Sequence, residues 1–180
     1  EYIAIDGAQA IGMLPVNLKD LGVDFYATSP HKWLQAPKGS GLLYVQKDKI
    51  DELEPMWVTW GQRRWGKEAR RYEDYGTQNH PVVLTLGDAI EFQRALGMEK
   101  KEARLKKLWA YTMERVDIDR RTHWRSPRDW EMGSSLYSIE IRGWDSRELQ
   151  RHLFNVHGVV FRAFSGTTGN AVRLSPNVFN

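Results

Sequence analysis

Two short runs hold most of the side chains with chemical potential, and each directly follows an apolar stretch. Asp6-Gly7-Ala8-Gln9 comes after Tyr2 to Ile5, and Ser29-Pro30-His31-Lys32 comes after Val23 to Thr28. An acid at the C-terminal end of a strand in an open α/β sheet sits where such sheets bind ligands. Taken alone, an Asp there is more commonly a turn-former or helix cap. Lys32 has apolar flanks, including Trp33 and Leu34, so partial burial is expected. Burial disfavours the ammonium form, which is how a lysine becomes a nucleophile toward carbonyl groups. The plainer alternative is a lysine that snorkels from a loop. Two further segments suit phosphate. In Pro37-Lys38-Gly39-Ser40-Gly41 the glycines let backbone N–H groups approach closely, although a Gly-x-Gly without the rest of a nucleotide fingerprint is first a loop signal. Tyr75-Gly76-Thr77-Gln78 reads as a helix entrance, with free N–H groups and the Thr77 hydroxyl as donors. An ordinary helix start accounts for it equally.

The elements that must position these groups alternate along the first 45 residues. A short buried strand over Tyr2 to Ile5 leads to a brief helix at Leu18 to Leu21, stopped by Gly22. Strands then follow at Val23 to Thr28 and Gly41 to Val45, a pattern that favours an α/β sheet. Residues 47 to 80 interleave charges and aromatics. From Pro81, the residues Val82, Leu86, Ala89, Phe92 and Leu96 share one helical face, and Gly97 ends it. A second helix carries Leu105, Leu108, Trp109, Thr112, Met113 and Val116 on one side. After an Arg- and Trp-rich polar stretch (119 to 133), a strand is expected at Leu136 to Ile141. A helix capped by Asp145 or Ser146 and ended by Gly158 follows, then strands at Val159 to Phe161 and Ala171 to Leu174. These patterns divide the chain into residues 1–115, part of a large α/β domain with its connecting helices, and 116–180, a small α+β domain.

Composition removes several classes of function. The 180 residues carry a net charge of only +3, and 8 Trp, 7 Tyr and 6 Phe supply large buriable side chains, so global disorder is excluded. With no cysteine, disulfides, thiolate metal sites and thiol nucleophiles are absent, and no metal is expected. No apolar run approaches the roughly 20 residues of a membrane helix, and no signal peptide is visible, so a cytoplasmic location and no membrane partner are expected. The span from Trp57 to Tyr72 mixes arginines with aromatics, as single-stranded nucleic-acid sites do. Glu68, Glu73 and Asp74 dilute it, and +3 is little charge for that task, so no nucleic-acid partner is expected. The chain opens on Glu1 and runs at once into a strand, whose backbone groups need partners. It therefore reads as a piece of a longer protein.

Order and spacing carry more than any single feature. The run DGAQAIG at 6–12, followed by LGVDFYATSPHKWLQAPKGSGLLYV at 21–45, resembles the cofactor-binding segment of the class V aminotransferases, fold-type I pyridoxal-phosphate enzymes. YGTQN at 75–79 is similar to that family's later phosphate-contacting motif, and VRLSPNVFN at 172–180 to its C-terminal arginine segment. The HKWL-x-AP-x-GSG stretch is most similar to the isopenicillin-N-epimerase-like branch, close to the cysteine-desulfurase-like one. The resemblance covers essentially the whole chain. It implies an α/β fold: the C-terminal part of a large domain with a mixed, mostly parallel sheet, followed by a small α+β domain.

It also implies roles. Lys32 would form the Schiff base with the aldehyde of pyridoxal 5'-phosphate. Asp6 would pair with the pyridine nitrogen, and Gln9 would hydrogen-bond the ring's phenolic oxygen. Ser29 and His31 would bind the phosphate, and Thr77 would reach the phosphate of a neighbouring subunit, which implies a homodimer with shared sites. Arg173 would grip the α-carboxylate of an amino-acid substrate through a two-pronged contact; without the resemblance it reads as an edge-strand surface arginine. Pro30 departs from the family pattern, where a small residue is frequent. The family places the first half of its large domain upstream of Asp6. It also places a further helix beyond Asn180. Desulfurases of this family use a thiol before the arginine strand, and Ala163 to Gly169 contains none, so Cys-dependent desulfuration is not expected. Transamination, epimerisation or racemisation, and lyase chemistry stay open. The competing reading is a non-catalytic scaffold or interaction domain with the same fold and an incomplete site.

Overall fold

The computed structural model describes residues 1–165 and 169–180. They form two compact units, Glu1–Met98 and Glu99–Asn180. The sequence pattern puts the division at 115/116; the compact units divide at the start of the long helix instead of within it.

The first unit is built on a three-stranded mixed sheet in the order β1-β2-β3. β1 (Ala4–Asp6) runs parallel to β2 (Phe25–Thr28), with Asp6 opposite Ala27. β3 (Leu42–Val45) runs antiparallel to β2. The expected strand at 2–5 is present but displaced, and it is not buried: all three β1 residues are exposed. A strand is buried only where layers cover its faces, and among the described residues β1 is an edge strand with β2 as its one neighbour. Between the two, the short helix α1 (Leu18–Leu21) starts where Asn17 Oδ1 accepts the Lys19 N–H and stops at Gly22.

After α2 (Gly61–Trp65), the single helix expected from Pro81 is divided into α3 (His80–Leu84) and α4 (Leu86–Leu96). The break is at Thr85, whose hydroxyl donates back to the Pro81 carbonyl at 2.8 Å, a contact that competes with helix continuation. α4 buries Ala89 and Gln93, whereas Phe92, expected on the inner face, is 52% exposed. The helix is rotated by a polar contact that hydrophobic spacing does not reveal. Gln93 Nε2 donates to the Leu34 carbonyl at 3.2 Å and to Gln35 Oε1 at 2.9 Å.

The second unit packs α5 (Met98–Ile118) with a four-stranded sheet. Lys101, Leu105, Trp109 and Val116 form the buried stripe of α5. Trp109 meets Trp124 and Trp130 edge-on at 6.1 and 5.7 Å, and Trp124 stacks on Tyr137 at 4.8 Å. The strands β4 (Thr122–Trp124), β5 (Tyr137–Ile141), β6 (Arg162–Phe164) and β7 (Ala171–Leu174) lie in the order β4-β5-β7-β6, all neighbours antiparallel. β4 falls in a stretch that reads as merely polar. β6 begins one residue past the expected 159–161, because the chain is still closing the preceding helix: Val159 N–H donates to the Leu153 carbonyl at 3.2 Å. That helix, α6 (Ser146–His157), matches the sequence signals. Asp145 caps its first turn, and Gly158 ends it at φ 66°, a left-handed conformation that glycine adopts without strain. Leu149 of α6 packs with Phe161 and Val172. Among the described residues no helix is long and apolar enough to cross a membrane.

Candidate active site

Because β1 and β2 are parallel and paired with Asp6 opposite Ala27, their C-terminal ends open at the same edge of the sheet. The chain leaves β1 into the turn Gly7–Ala10 and leaves β2 into the turn Ser29–Lys32. Five of the seven candidate residues, Asp6, Gln9, Ser29, His31 and Lys32, are brought to this edge.

The Asp6 turn is held from three directions. Gly7 N–H donates to the Ala27 carbonyl at 2.8 Å, and the Thr28 hydroxyl donates to the Gly7 carbonyl at 2.8 Å. On the remaining side the Tyr26 ring presses on the glycine, so closely that a Cβ there would lie 2.0 Å from the Tyr26 hydroxyl. Any side chain here would have to push the Tyr26 ring aside. Within the turn, Ala8 N–H donates to Asp6 Oδ1 at 2.9 Å. Asp6 itself is exposed. The Tyr26 hydroxyl is buried and has no hydrogen-bond partner among the described residues. Burial, and next the charge of Asp6, push its pKa above the usual tyrosine range.

The Lys32 turn is anchored by its apolar members. Pro30 is fully buried, and its carbonyl accepts the Ala36 N–H at 3.1 Å. Lys32 N–H donates to the Ser29 carbonyl at 3.1 Å. Trp33 and Leu34 turn inward, and Gln93 of α4 bonds the Leu34 carbonyl behind them. Lys32 and His31 therefore face outward. The expectation that Lys32 is partly buried is not met; it is exposed, because the turn spends its buried positions on Pro30, Trp33 and Leu34. Pro30 thus acts as a rigid, buried anchor of the turn that carries Lys32. Trp33 also reaches across to the other turn, donating its indole N–H to Gln9 Oε1 at 3.0 Å. Sequence reasoning treats Trp33 only as an apolar flank, and it misses Thr28 and Gln93 altogether. The alternation Tyr26-Ala27-Thr28, which puts Thr28 on the buried side, is the one signal that points to it.

The remaining candidates lie elsewhere. Ser40 is committed within its own turn, its hydroxyl donating to the Pro37 carbonyl at 2.7 Å. Thr77 is exposed in the loop before α3, three residues ahead of the helix rather than in its first turn, and among the described residues no hydrogen bond joins it to the Lys32 edge. Arg173 belongs to the second unit. It is not on an edge strand, since β7 is flanked by β5 and β6, and it is half-buried with Nε unpartnered among the described residues. Its guanidinium lies 5.8 Å from the Phe164 ring centre, and Arg162 stands directly opposite on β6. Of the cysteine-free stretch 163–169, residues Gly166, Thr167 and Thr168 lie outside the described residues. An open apolar cleft of about 450 Å³, lined by Leu14, Pro15, Leu34 and Ile90, touches none of these groups.

Comparison with known proteins supplies the context for this edge. The aminotransferase class-V family profile matches residues 2–174. Isopenicillin N epimerase of Amycolatopsis lactamdurans is 30% identical over 190 residues, spanning 98% of this chain and 48% of that protein. A probable cysteine desulfurase of Chlamydia trachomatis serovar D is 34% identical over 154 residues, spanning 81% and 38%. Among solved structures, the apo cysteine desulfurase of Thermococcus onnurineus NA1 aligns with a TM-score of 0.85 at 26% identity, covering 98% of this chain and 48% of that one. The chain spans about half the length of the curated relatives it matches.

Proposed function

Because this chain belongs to the aminotransferase class-V family, we propose that it forms part of a pyridoxal-phosphate-dependent enzyme acting on an amino acid. The observation that carries the reading is the shared edge of β1 and β2, which presents an anchored carboxylate and an outward-facing amine together. The donor set suits the cofactor. Asp6 offers a carboxylate oxygen to a protonated ring nitrogen, Gln9 offers amide N–H donors, and Ser29 and His31 offer donors to a phosphate. When bound, the pyridinium ring withdraws the electron pair left when a bond at the substrate Cα breaks.

The chain's own residues do the rest. Asp6, held by the Ala8 N–H, would pair with the ring nitrogen and favour its protonated form. Lys32 is the residue that would hold the cofactor aldehyde, and its amine would serve as the proton carrier at the substrate Cα. Arg173 holds the substrate carboxylate; what supports this is a guanidinium on an interior strand facing a second arginine, a like-charged pair that costs energy unless an anion is shared. Thr77 is proposed to serve the site of a second copy in a homodimer; its loop is exposed and adjoins the exposed side chain of Tyr75. Epimerisation, transamination and lyase chemistry all use this set. Cys-dependent desulfuration is proposed not to be its reaction, because none of the 180 residues is a cysteine.

The test is covalent. The intact protein is incubated with pyridoxal phosphate, reduced with borohydride and digested, and the modified peptide is located by mass spectrometry. The label is expected on Lys32 and absent from Lys32→Ala; a label spread over other lysines, or none, overturns the reading.

A further inference from the structure

We infer that Trp33 is a positioning residue that fixes which end of the Gln9 amide faces the ligand. An indole N–H donates and cannot accept. Its partner at 3.0 Å must therefore be the amide oxygen, and the two N–H donors of Gln9 are left for whatever lies at the sheet edge. Asn and Gln amides otherwise rotate freely between two nearly isosteric orientations. Here rotation would bring Nε2 against the indole N–H, donor against donor. Trp33 is only 6% exposed, so the indole cannot swing away to relieve that clash. It sits next to Lys32 in sequence, so the residue that orients Gln9 is carried on the turn that carries the amine. A donor-only face prefers an anionic or strongly accepting oxygen. This inference rests on the reading that Lys32 holds pyridoxal phosphate, and the oxygen concerned is then the ring's phenolic oxygen, favoured as the anion.

Two measurements test it, one without the cofactor. In the cofactor-free intact protein, Gln9→Leu is expected to shift the Trp33 indole N–H resonance and speed its exchange with water. An indole N–H that is indifferent to this substitution overturns the inference, whatever Lys32 does. In the loaded protein, Trp33→Phe keeps the ring but removes the donor. It is expected to weaken pyridoxal phosphate binding about fivefold, in keeping with one lost hydrogen bond, and to raise the pH midpoint of the bound cofactor's visible absorbance. In a Gln9→Ala background the same substitution is expected to change neither quantity. Equal effects in both backgrounds would mean that Trp33 acts by packing alone, and would overturn it. If the wild type takes up no pyridoxal phosphate, the proposed function fails, while the indole measurement still decides whether Trp33 orients Gln9.

Discussion

The two units solve the problem of holding a small sheet in different ways. In the second unit Trp109 of α5 meets Trp124 and Trp130 edge-on, Trp124 stacks on Tyr137, and the Tyr137 hydroxyl donates to Thr112 of the same helix. In the first unit β1 is fully exposed and β3 largely so, and order comes from point contacts: the three-sided grip on Gly7, the anchor at Pro30, and Gln93 behind Leu34. Area burial spreads stabilisation over many atoms, so no one contact is indispensable. Point contacts fix a few atoms firmly and leave the rest of the surface open, which suits the proposed role of presenting a carboxylate and an amine to a cofactor. The difference predicts where substitutions will hurt stability and where they will hurt binding.

The largest stability loss is expected in the second unit. Trp109→Ala should cost about 3–5 kcal/mol, the range for a large aromatic removed from a core, read as a shift in the denaturant midpoint with little change in cofactor uptake. Gly7→Ala should cost less, roughly 1–3 kcal/mol as an overpacked site, yet it should abolish pyridoxal phosphate uptake because the Asp6 turn must move. If it binds normally, the contrast between the units fails.

Lys101 adds a pH signature to the second unit. Burial pushes its pKa down to about 8. The unfolded chain then holds more protons than the folded one between about pH 8 and 10.5, so stability rises with pH across that window; below it the penalty is fully present. Thermal unfolding should show this slope, and Lys101→Met should flatten it. The smallest effect is expected at the α6 cap, where Asp145→Ala removes an acceptor from two backbone N–H groups. A loss of about 1 kcal/mol is expected there, with no change at the ligand edge.

The parts legible in the sequence are those fixed by local chemistry. The Asp145 cap and the Gly158 stop of α6, the apolar members Leu105, Trp109 and Val116 of the α5 stripe and the strand at 171–174 follow from residue type and period, whereas the burial of Lys101 on that helix does not. What is missed depends on contacts between distant residues. Phe92 satisfies the helical spacing better than Gln93, but Gln93 wins the inner face by bonding a loop 58 residues away in sequence, a gain that periodicity does not register. Lys32 looks buried from its neighbours because a one-dimensional reading cannot tell which members of a turn point inward. At the ligand edge Asp6, Gln9 and Lys32 are readable as types, and the sheet pairing brings them together. The residues that hold them, Thr28, Trp33 and Gln93, become visible only once the strands are paired.

The most direct test of this account is a crystal structure of the intact protein grown with pyridoxal phosphate. It predicts unbroken density from Lys32 Nζ to the cofactor, with an Asp6 carboxylate oxygen within hydrogen-bond distance of the ring nitrogen. Cofactor bound elsewhere, or at Lys32 with Asp6 turned away from the ring, would contradict it.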